Sequence, residues 1–329
     1  MSTWWKGRRV LVTGATGLLG SWLSKALVER QASVTALVRD ADPQSEFFRS
    51  RIVEQIGVVS GELEDLRALE RAINQYEIDT VFHLGAQTIV TAADRAPLAT
   101  FESNIRGTYN LLEACRRYRD LVQRVVVASS DKAYGQQQEA YREDMPLDGR
   151  RPYEVSKVCA EMLAVSYHRT YELPVAMSRC GNLYGGGDLN WSRLIPGTIR
   201  SLVAGERPII RSNGQFIRDY LYVEDAVEAL LRLAEQLHQP GVRGQSFNFS
   251  AEQPRTVLEM VRLIQRLMGS ETLEPVILNE APGELITQTL STRKANEMLE
   301  WQPRWELEDA LTKTIHWYRS LLIPATVVP

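Results

Sequence analysis

The chain has 329 residues, 44% apolar and 24% charged, enough to bury a sizeable core in one large or two coupled domains, which excludes a small stapled scaffold. Its 38 Lys and Arg against 41 Asp and Glu leave a formal charge of −3, with no basic excess to compensate a phosphate polymer, so nucleic acid is not an expected partner. Three cysteines without close spacing (Cys115, Cys159, Cys180) and scattered histidines (His83, His168, His238, His316) fit neither a disulfide framework nor a metal cluster. The expectation is a reduced, cytoplasmic protein without bound metal. Residues 1–9 lack the apolar region of a signal peptide, and no later stretch approaches the roughly 18 to 20 apolar residues of a membrane span, so the chain is expected to be soluble.

In chain order, residues 10–13 form a short apolar, β-branched run ending in Gly14, and residues 18–29 place Leu19, Trp22, Leu23, Ala26 and Leu27 at helical spacing. Strands are predicted at 34–38, 58–59 and 80–84, with a helix at 66–74. Helices at 104–118 and 153–170 flank a valine-rich strand at 124–128, and a further strand follows at 175–178. Near-continuous apolar strands separated by helices imply a parallel sheet covered on both faces, hence an α/β, doubly wound fold. After about Gly181 the rhythm breaks. Gly185-Gly186-Gly187 opens a loop, a helix is predicted at 193–204, and residues 218–223 precede another at 224–237, with surface turns at 241–244 and 281–283. The expected layout is a dinucleotide-binding domain at 1–180, with returning elements from about 217–249, and a smaller, mainly substrate-binding lobe at 181–329. His83 lies within an apolar strand and reads as a packed histidine, and Trp301, Trp305 and Trp317 read as local core.

Gly14-Ala15-Thr16-Gly17-Leu18-Leu19-Gly20 is a G-x-x-G-x-x-G loop between a strand and a helix. Its glycines tighten the turn and bring backbone N–H groups and the helix N-terminus to a pyrophosphate. A plain glycine turn would have no need of a strand before it and a helix after it. At the end of the second strand, Arg39 suits a 2′-phosphate and so NADP, adjacent Asp40 suits a ribose and so NAD, and a solvated surface arginine is equally compatible.

Together with this loop, Ser129-Ser130 at the end of an apolar strand and Tyr153-Glu154-Val155-Ser156-Lys157 (Y-x-x-x-K) resemble the extended short-chain dehydrogenase/reductase family, with its Rossmann fold. Tyr153 and Lys157 share a helix face, so the ammonium is expected to lower the phenol pKa and hold the nicotinamide ribose while the phenolate removes a hydroxyl proton. Taken alone, such a pair is simply two exposed helix residues. Ser130 would complete the hydrogen bonds at the reacting oxygen. The resemblance covers nearly the whole chain. Phe82-His83-Leu84-Gly85-Ala86-Gln87 is similar to the strand-four motif, with Gly85 at a position usually held by alanine, and Ser103-Asn104-Ile105-Arg106-Gly107-Thr108 to the helix start whose Asn104 supports the cofactor loops. Gly61-Glu62-Leu63 departs from the commoner Gly-Asp-Leu at the adenine edge. The resemblance implies a tightly bound NAD or NADP regenerated in each cycle, held by Gly14, Thr16, Gly17, Leu18, Leu19, Gly20, Arg39, Glu62, Leu63, Leu84, Gly85, Ala86, Asn104, Tyr153 and Lys157. It implies a nucleotide-sugar substrate held by Gln87, Ser130, Asn182, Arg193 and Arg218. Trp301-Gln302-Pro303 matches the family's C-terminal tryptophan turn.

Within that family, Ser130-Asp131-Lys132 discriminates. Hexose 4-epimerases usually place small uncharged residues after the Ser or Thr, whereas sugar-nucleotide 4,6-dehydratases place an acid there. Ser-Asp-Lys resembles the CDP-glucose 4,6-dehydratase branch, as do Trp5-Lys6-Gly7, Gly20-Ser21-Trp22-Leu23 and Gly185-Gly186-Gly187-Asp188 followed by Arg193-Leu194-Ile195-Pro196. The stretch from Arg218 to Val223 is nearer the general pattern, and Val38-Arg39 is similar to GDP-mannose 4,6-dehydratases, which leaves the base open. Elimination of the carbon 6 hydroxyl needs a proton donor, for which Asp131 is suited, and a base at carbon 5, for which Lys132 is suited if neutral. The alternatives are a surface Asp131–Lys132 ion pair beside a UDP-sugar 4-epimerase site, and a non-catalytic cofactor-binding protein of the same fold. The resemblance also implies a homodimer through helices 104–118 (Leu111, Leu112, Cys115) and 153–170 (Met162, Leu163, Val165), unless both helices simply cover the sheet.

Overall fold

Seven strands, β1 (Arg9–Thr13), β2 (Ser33–Val38), β3 (Gly57–Ser60), β4 (Thr80–His83), β5 (Arg124–Ala128), β6 (Val175–Cys180) and β7 (Ser246–Phe249), form one parallel sheet in the computed structural model, which describes residues 3–280 and 285–323. The expected turn at Ala281-Pro282-Gly283 lies outside the described residues. The strand order is β7-β6-β5-β4-β1-β2-β3. Because side chains alternate across a pleated strand, the continuous apolar runs feed two cores. Val10, Val12, Ala36, Phe82, Val126 and Phe247 pack on one face against helices Leu18–Glu29 and Val223–Gln236. Leu11, Val81, Val125, Val127 and Val175 pack on the other, under helices Leu66–Gln75, Gly107–Arg117 and Pro152–Tyr171. Full burial of each such side chain contributes roughly 1.5–3 kcal/mol. The chain reverses its direction of progress across the sheet between β1 and β4, the kind of switch point at whose carboxyl end open α/β sheets bind ligands.

Two expectations about the helices are corrected. The segment 104–118 is not one helix: a wide π-helical turn, Glu102–Arg106, precedes the regular helix. There the Gly107 N–H reaches back five residues to the Glu102 carbonyl, which widens the turn before the regular helix takes over. Leu111, Leu112 and Cys115 are fully buried beneath that helix and cannot form a docking face, because the sheet already takes their apolar surface. Met162, by contrast, is 66% exposed.

Beyond β6, helices Leu194–Val203, Val257–Met268 and Leu307–Leu322 pack around Ile199, Met260, Ile264, Leu311 and Ile315. The expected extended run at 218–223 divides into strands Ile217–Arg218 and Tyr220–Tyr222. Asp219 lies buried between them, its carboxylate accepting from the backbone N–H groups of Gln253 and Leu290. Ile217–Arg218 pairs in parallel with Thr287–Gln288, and Tyr220–Tyr222 with Asn182–Tyr184. These short ladders bring the second half of the chain to the carboxyl edge of the sheet. Among the described residues, no helix is long and apolar enough to cross a membrane, and no three His, Cys, Asp or Glu residues group as metal ligands.

Candidate active site

β1 turns sharply at Gly14, whose φ of +70° lies in the left-handed region, and a Cβ there would sit 2.7–2.8 Å from the backbone of Leu84 and Gly85. Gly20 is pressed against the Gly14 carbonyl in the same way. At Gly85 a Cβ would meet Leu63 Cδ1 at 3.0 Å and Thr13 Oγ1 at 3.2 Å, tight contacts to which those side chains would have to give way. Helix Leu18–Glu29 starts from Gly17 with no side-chain cap, which leaves its first N–H groups for a ligand. This tight cradle fits a dinucleotide pyrophosphate. Thr16, Leu18 and Leu19 line its helix side, partly exposed.

A hydrogen-bond relay stiffens the loop from below. The Gly85 N–H donates to Thr13 Oγ1, which lies 2.9 Å from His83 Nδ1, and His83 Nε2 lies 3.0 Å from Thr108 Oγ1. Since Thr108 spends its own proton on the Asn104 carbonyl, its oxygen accepts from Nε2–H, and Nδ1 therefore accepts from Thr13. The relay requires a neutral ring. Burial, with a smaller contribution from the charge on Lys157, pushes His83 down to about 3. Between that value and the ordinary 6.5 the unfolded chain binds the extra proton, so this contribution to stability is complete above about pH 6.5 and is lost as pH falls toward 3. The slope within the window is at most about 1.4 kcal/mol per pH unit. His83→Gln is therefore expected to flatten the acid side of the stability profile, measured as urea midpoints from pH 7 to 4; parallel profiles would overturn the assignment. Asn104 completes the support: its Oδ1 accepts from the Gln87 N–H at 2.7 Å, and its Nδ2 donates to the Gln87 carbonyl and to Ser156 Oγ. Leu84 and Ala86 lie partly exposed along the segment so held.

The adenine side is less closely built. Leu63 is buried, and its carbonyl accepts from Asn110 Nδ2, while Glu62 is exposed. Arg39 pairs with Asp40 at 2.7 Å on the surface, so the two residues that pointed to opposite cofactor choices neutralise each other.

At the end of β5, Ser130 caps the short turn Asp131–Tyr134 by accepting from the Lys132 N–H, and its hydroxyl donates to Asp131 Oδ1 at 3.0 Å. Helix Pro152–Tyr171 begins with proline in its first turn, and Glu154 accepts from the Arg150 and Arg151 N–H groups, which fixes Tyr153 and Lys157 one turn apart. Both are buried. Lys157 Nζ donates to the Ala128 carbonyl at 2.9 Å and stands 5.9 Å from the Tyr153 ring centre. The expectation of a lowered phenol pKa is corrected: burial outweighs a hydrogen bond with Ser130 and the charge of Arg193, and pushes Tyr153 up to about 12. Lys157 is itself pushed down to about 8 by burial, against the opposing charge of Glu161.

Asp131 is buried, and burial raises its pKa against the opposing effects of Lys132, Ser130 and Arg218. That environment favours a neutral carboxylic acid, the form able to donate a proton. Its burial also places Asp131 away from the surface expected of an exposed ion pair with Lys132. From the second half of the chain come Arg193, bonded to Asp188 at 3.0 Å, and Arg218, which donates to the Ile217 and Ile286 carbonyls. Asn182 Nδ2 is buried without a hydrogen-bond partner among the described residues, and a bound polar ligand would supply one. Gln87 Oε1 accepts from the Ile89 N–H at the opposite rim. Sequence reasoning missed Gln288, fully buried, whose amide bonds both Asp131 and Lys132. The only local signal was a polar residue two positions before buried Leu290 on a short strand.

Residues 10–249 match the NAD dependent epimerase/dehydratase family. The CDP-glucose 4,6-dehydratase of Salmonella typhimurium is 32% identical over 331 residues, spanning 96% of this chain and 92% of that protein. Among solved structures, the UDP-glucose 4-epimerase of Thermotoga maritima with UDP-glucose superposes with a TM-score of 0.87 at 27% identity, covering 95% of this chain and 99% of the other. MoeE5 in complex with UDP-glucose and NAD gives a TM-score of 0.83 at 30% identity, with the same coverage of 95% and 99%.

Proposed function

The chain belongs to the NAD dependent epimerase/dehydratase family and is an NAD-dependent enzyme, and on that premise we propose that it is a sugar-nucleotide 4,6-dehydratase. It would convert an NDP-hexose, CDP-glucose-like or GDP-mannose-like, to the NDP-4-keto-6-deoxyhexose. The observation that carries this reading is the buried Asp131, held toward its neutral form beside Ser130 and within electrostatic reach of Tyr153.

In this reading Tyr153 receives the proton of the carbon 4 hydroxyl, Ser130 hydrogen-bonds the same oxygen, and Lys157 holds the nicotinamide ribose. When bound, oxidised NAD supplies a hydride acceptor for carbon 4, a positive charge that favours the Tyr153 phenolate, and the same hydride back to carbon 6. The ketone at carbon 4 acidifies the carbon 5 proton, which Lys132, in its amine form, takes up during elimination and gives back to carbon 5 when carbon 6 receives the hydride. Asp131 gives its proton to the carbon 6 hydroxyl, which leaves as water. Gly14, Thr16, Gly17, Leu18, Leu19, Gly20, Arg39, Glu62, Leu63, Leu84, Gly85, Ala86 and Asn104 make up the dinucleotide side. Gln87, Asn182, Arg193 and Arg218 make up the sugar-nucleotide side, the two arginines suiting a diphosphate. Residues 1–180, with returning elements from about 217–249, serve mainly the dinucleotide, and the rest of 181–329 mainly the sugar nucleotide.

The direct test is incubation with CDP-, GDP-, UDP- and dTDP-hexoses and identification of products by mass and NMR. Loss of one water supports dehydration. A carbon 4 isomer of unchanged mass would instead support a 4-epimerase, the reading favoured by the likeness to the Thermotoga enzyme.

The three free cysteines suit a reducing cytoplasm. A homodimer is also part of the proposal, with exposed Met162, Tyr109 and Leu98 on the outer helical layer supporting it in place of the buried Leu111 face. Leu163 and Val165 pack partly into the core and contribute less. Light scattering at micromolar concentration is expected to give twice the chain mass of 37.3 kDa, and Met162→Glu to shift it toward the monomer; a monomeric parent protein would refute the association.

A further inference from the structure

Strand Thr287–Gln288 reaches the proton-transfer pair from the far end of the chain. Its register with Ile217–Arg218 places Gln288 opposite Arg218, and the Asp219 N–H donates to the Gln288 carbonyl at 3.1 Å, so the residue is held by backbone on one side. Its side chain is fully buried, and both ends of the amide are used. Nε2 donates to Asp131 Oδ2 at 3.2 Å, and Oε1 accepts from Lys132 Nζ at 3.4 Å. The other carboxyl oxygen, Oδ1, accepts from Ser130 at 3.0 Å.

We propose that Gln288 is a positioning residue for the elimination step, a neutral bridge that orients the Asp131 carboxyl and the Lys132 amine together while leaving both able to transfer protons. The inference rests on the dehydratase reading given above. A carboxylic acid keeps lone pairs on both oxygens, so Asp131 can accept from Ser130 and Gln288 and still carry the O–H that it donates. As the carbon 6–oxygen bond breaks, the Asp131 O–H bond breaks with it, the proton leaves in the water molecule, and the new carboxylate keeps the Gln288 N–H as a donor. At carbon 5 the C–H electron pair forms the new carbon–carbon double bond while the proton passes to Lys132, whose ammonium still donates to Gln288 Oε1. No oxidant or reductant enters this step. A carboxylate in place of the amide would pair with Lys132 and repel the Asp131 charge, whereas an apolar side chain would leave two buried polar groups without a partner.

Asp131 is faced by Lys132 on its own turn, Arg218 from the neighbouring ladder, Tyr153 from the long helix, Cys180 at the end of β6, and Tyr141. Gln288→Met leaves all of these in place and removes one donor to the carboxylate, so the acid is retained to higher pH. The expected result with the preferred NDP-hexose is a 10- to 100-fold lower rate of dehydrated product, with single-turnover reduction of the nicotinamide slowed by no more than about threefold. The alkaline limb of the dehydration profile is expected to move to higher pH. Gln288→Glu, of nearly the same volume, keeps the acceptor for Lys132 and is expected to move the alkaline limb in the same direction, which gives the reading if Gln288→Met does not fold. Equal slowing of oxidation and dehydration with an unmoved pH profile would show a purely structural role and overturn the inference. So would an unchanged rate of dehydration in both variants. A parent protein that forms no dehydrated product from any of the four nucleotide sugars would instead overturn the dehydratase reading, and this inference with it.

Discussion

Tyr153→Phe is expected to reduce turnover of the preferred sugar nucleotide by about 10²- to 10⁴-fold, the range typical of a lost general acid or base. The substitution removes one oxygen and little volume from a residue buried at the start of helix Pro152–Tyr171, so fold and NAD affinity should be nearly unchanged. Burial holds the phenol near 12, so its deprotonation depends on neighbouring positive charge. Lys157→Ala removes the group proposed to hold the nicotinamide ribose, so it should weaken NAD binding and slow turnover as well. Turnover is measured as product formed per enzyme at saturating substrate, and NAD retention by chromatography of the same samples. Near-normal turnover by the phenylalanine variant would remove Tyr153 from the chemistry, and with it the family role carried to this position.

Asp131→Asn addresses the later step. An amide is a far weaker acid than a carboxyl group, yet here it can turn its oxygen to Gln288 Nε2 and its NH2 to Ser130 Oγ, so the local contacts survive. Oxidation at carbon 4 should proceed, and loss of water should slow by about 10²-fold or more. Reduced nicotinamide or a 4-keto hexose that keeps its carbon 6 hydroxyl should then accumulate. Absorbance of the reduced cofactor and the mass of the released sugar, followed together on parent and variant, separate the two steps. An epimerase needs no acid at carbon 6 and would lose little. Interconversion of carbon 4 isomers by both proteins, with no dehydrated product, would reject the dehydratase reading and promote the 4-epimerase.

Residue patterns that repeat over a few positions are legible in the amino-acid sequence itself. The run of valines predicted at 124–128 is strand Arg124–Ala128, and the helical spacing over 18–29 is helix Leu18–Glu29, because periodic burial leaves its signature in adjacent residues. The glycine loop and the Tyr153–Lys157 pair are of the same kind: one turn and one helix face, each within seven residues or fewer. The boundary within 104–118 is not legible in this way. A turn closed by a backbone bond from Gly107 to Glu102, one residue further back than in a regular helix, leaves the side-chain pattern over five residues nearly unaltered, so periodicity does not register it. The buried state of Leu111, Leu112 and Cys115 is likewise hidden, since an apolar helix face reads the same against a sheet as against a second subunit.

The sequence by itself determined the class of fold, the cradle for a dinucleotide and the presence of an acid after Ser130, because each rests on residue types close together in the chain. Only the tertiary structure decided how those groups behave. It placed Gln288 on Asp131 although the two are 157 residues apart, and it buried an Asn182 amide that has no partner among the described residues. Desolvation then favours the neutral forms of Asp131, Tyr153 and Lys157 alike, since taking any charge out of water costs free energy whatever its sign. Burial is a property of the whole packed chain, so a motif can name the ionisable groups of a site but not their protonation.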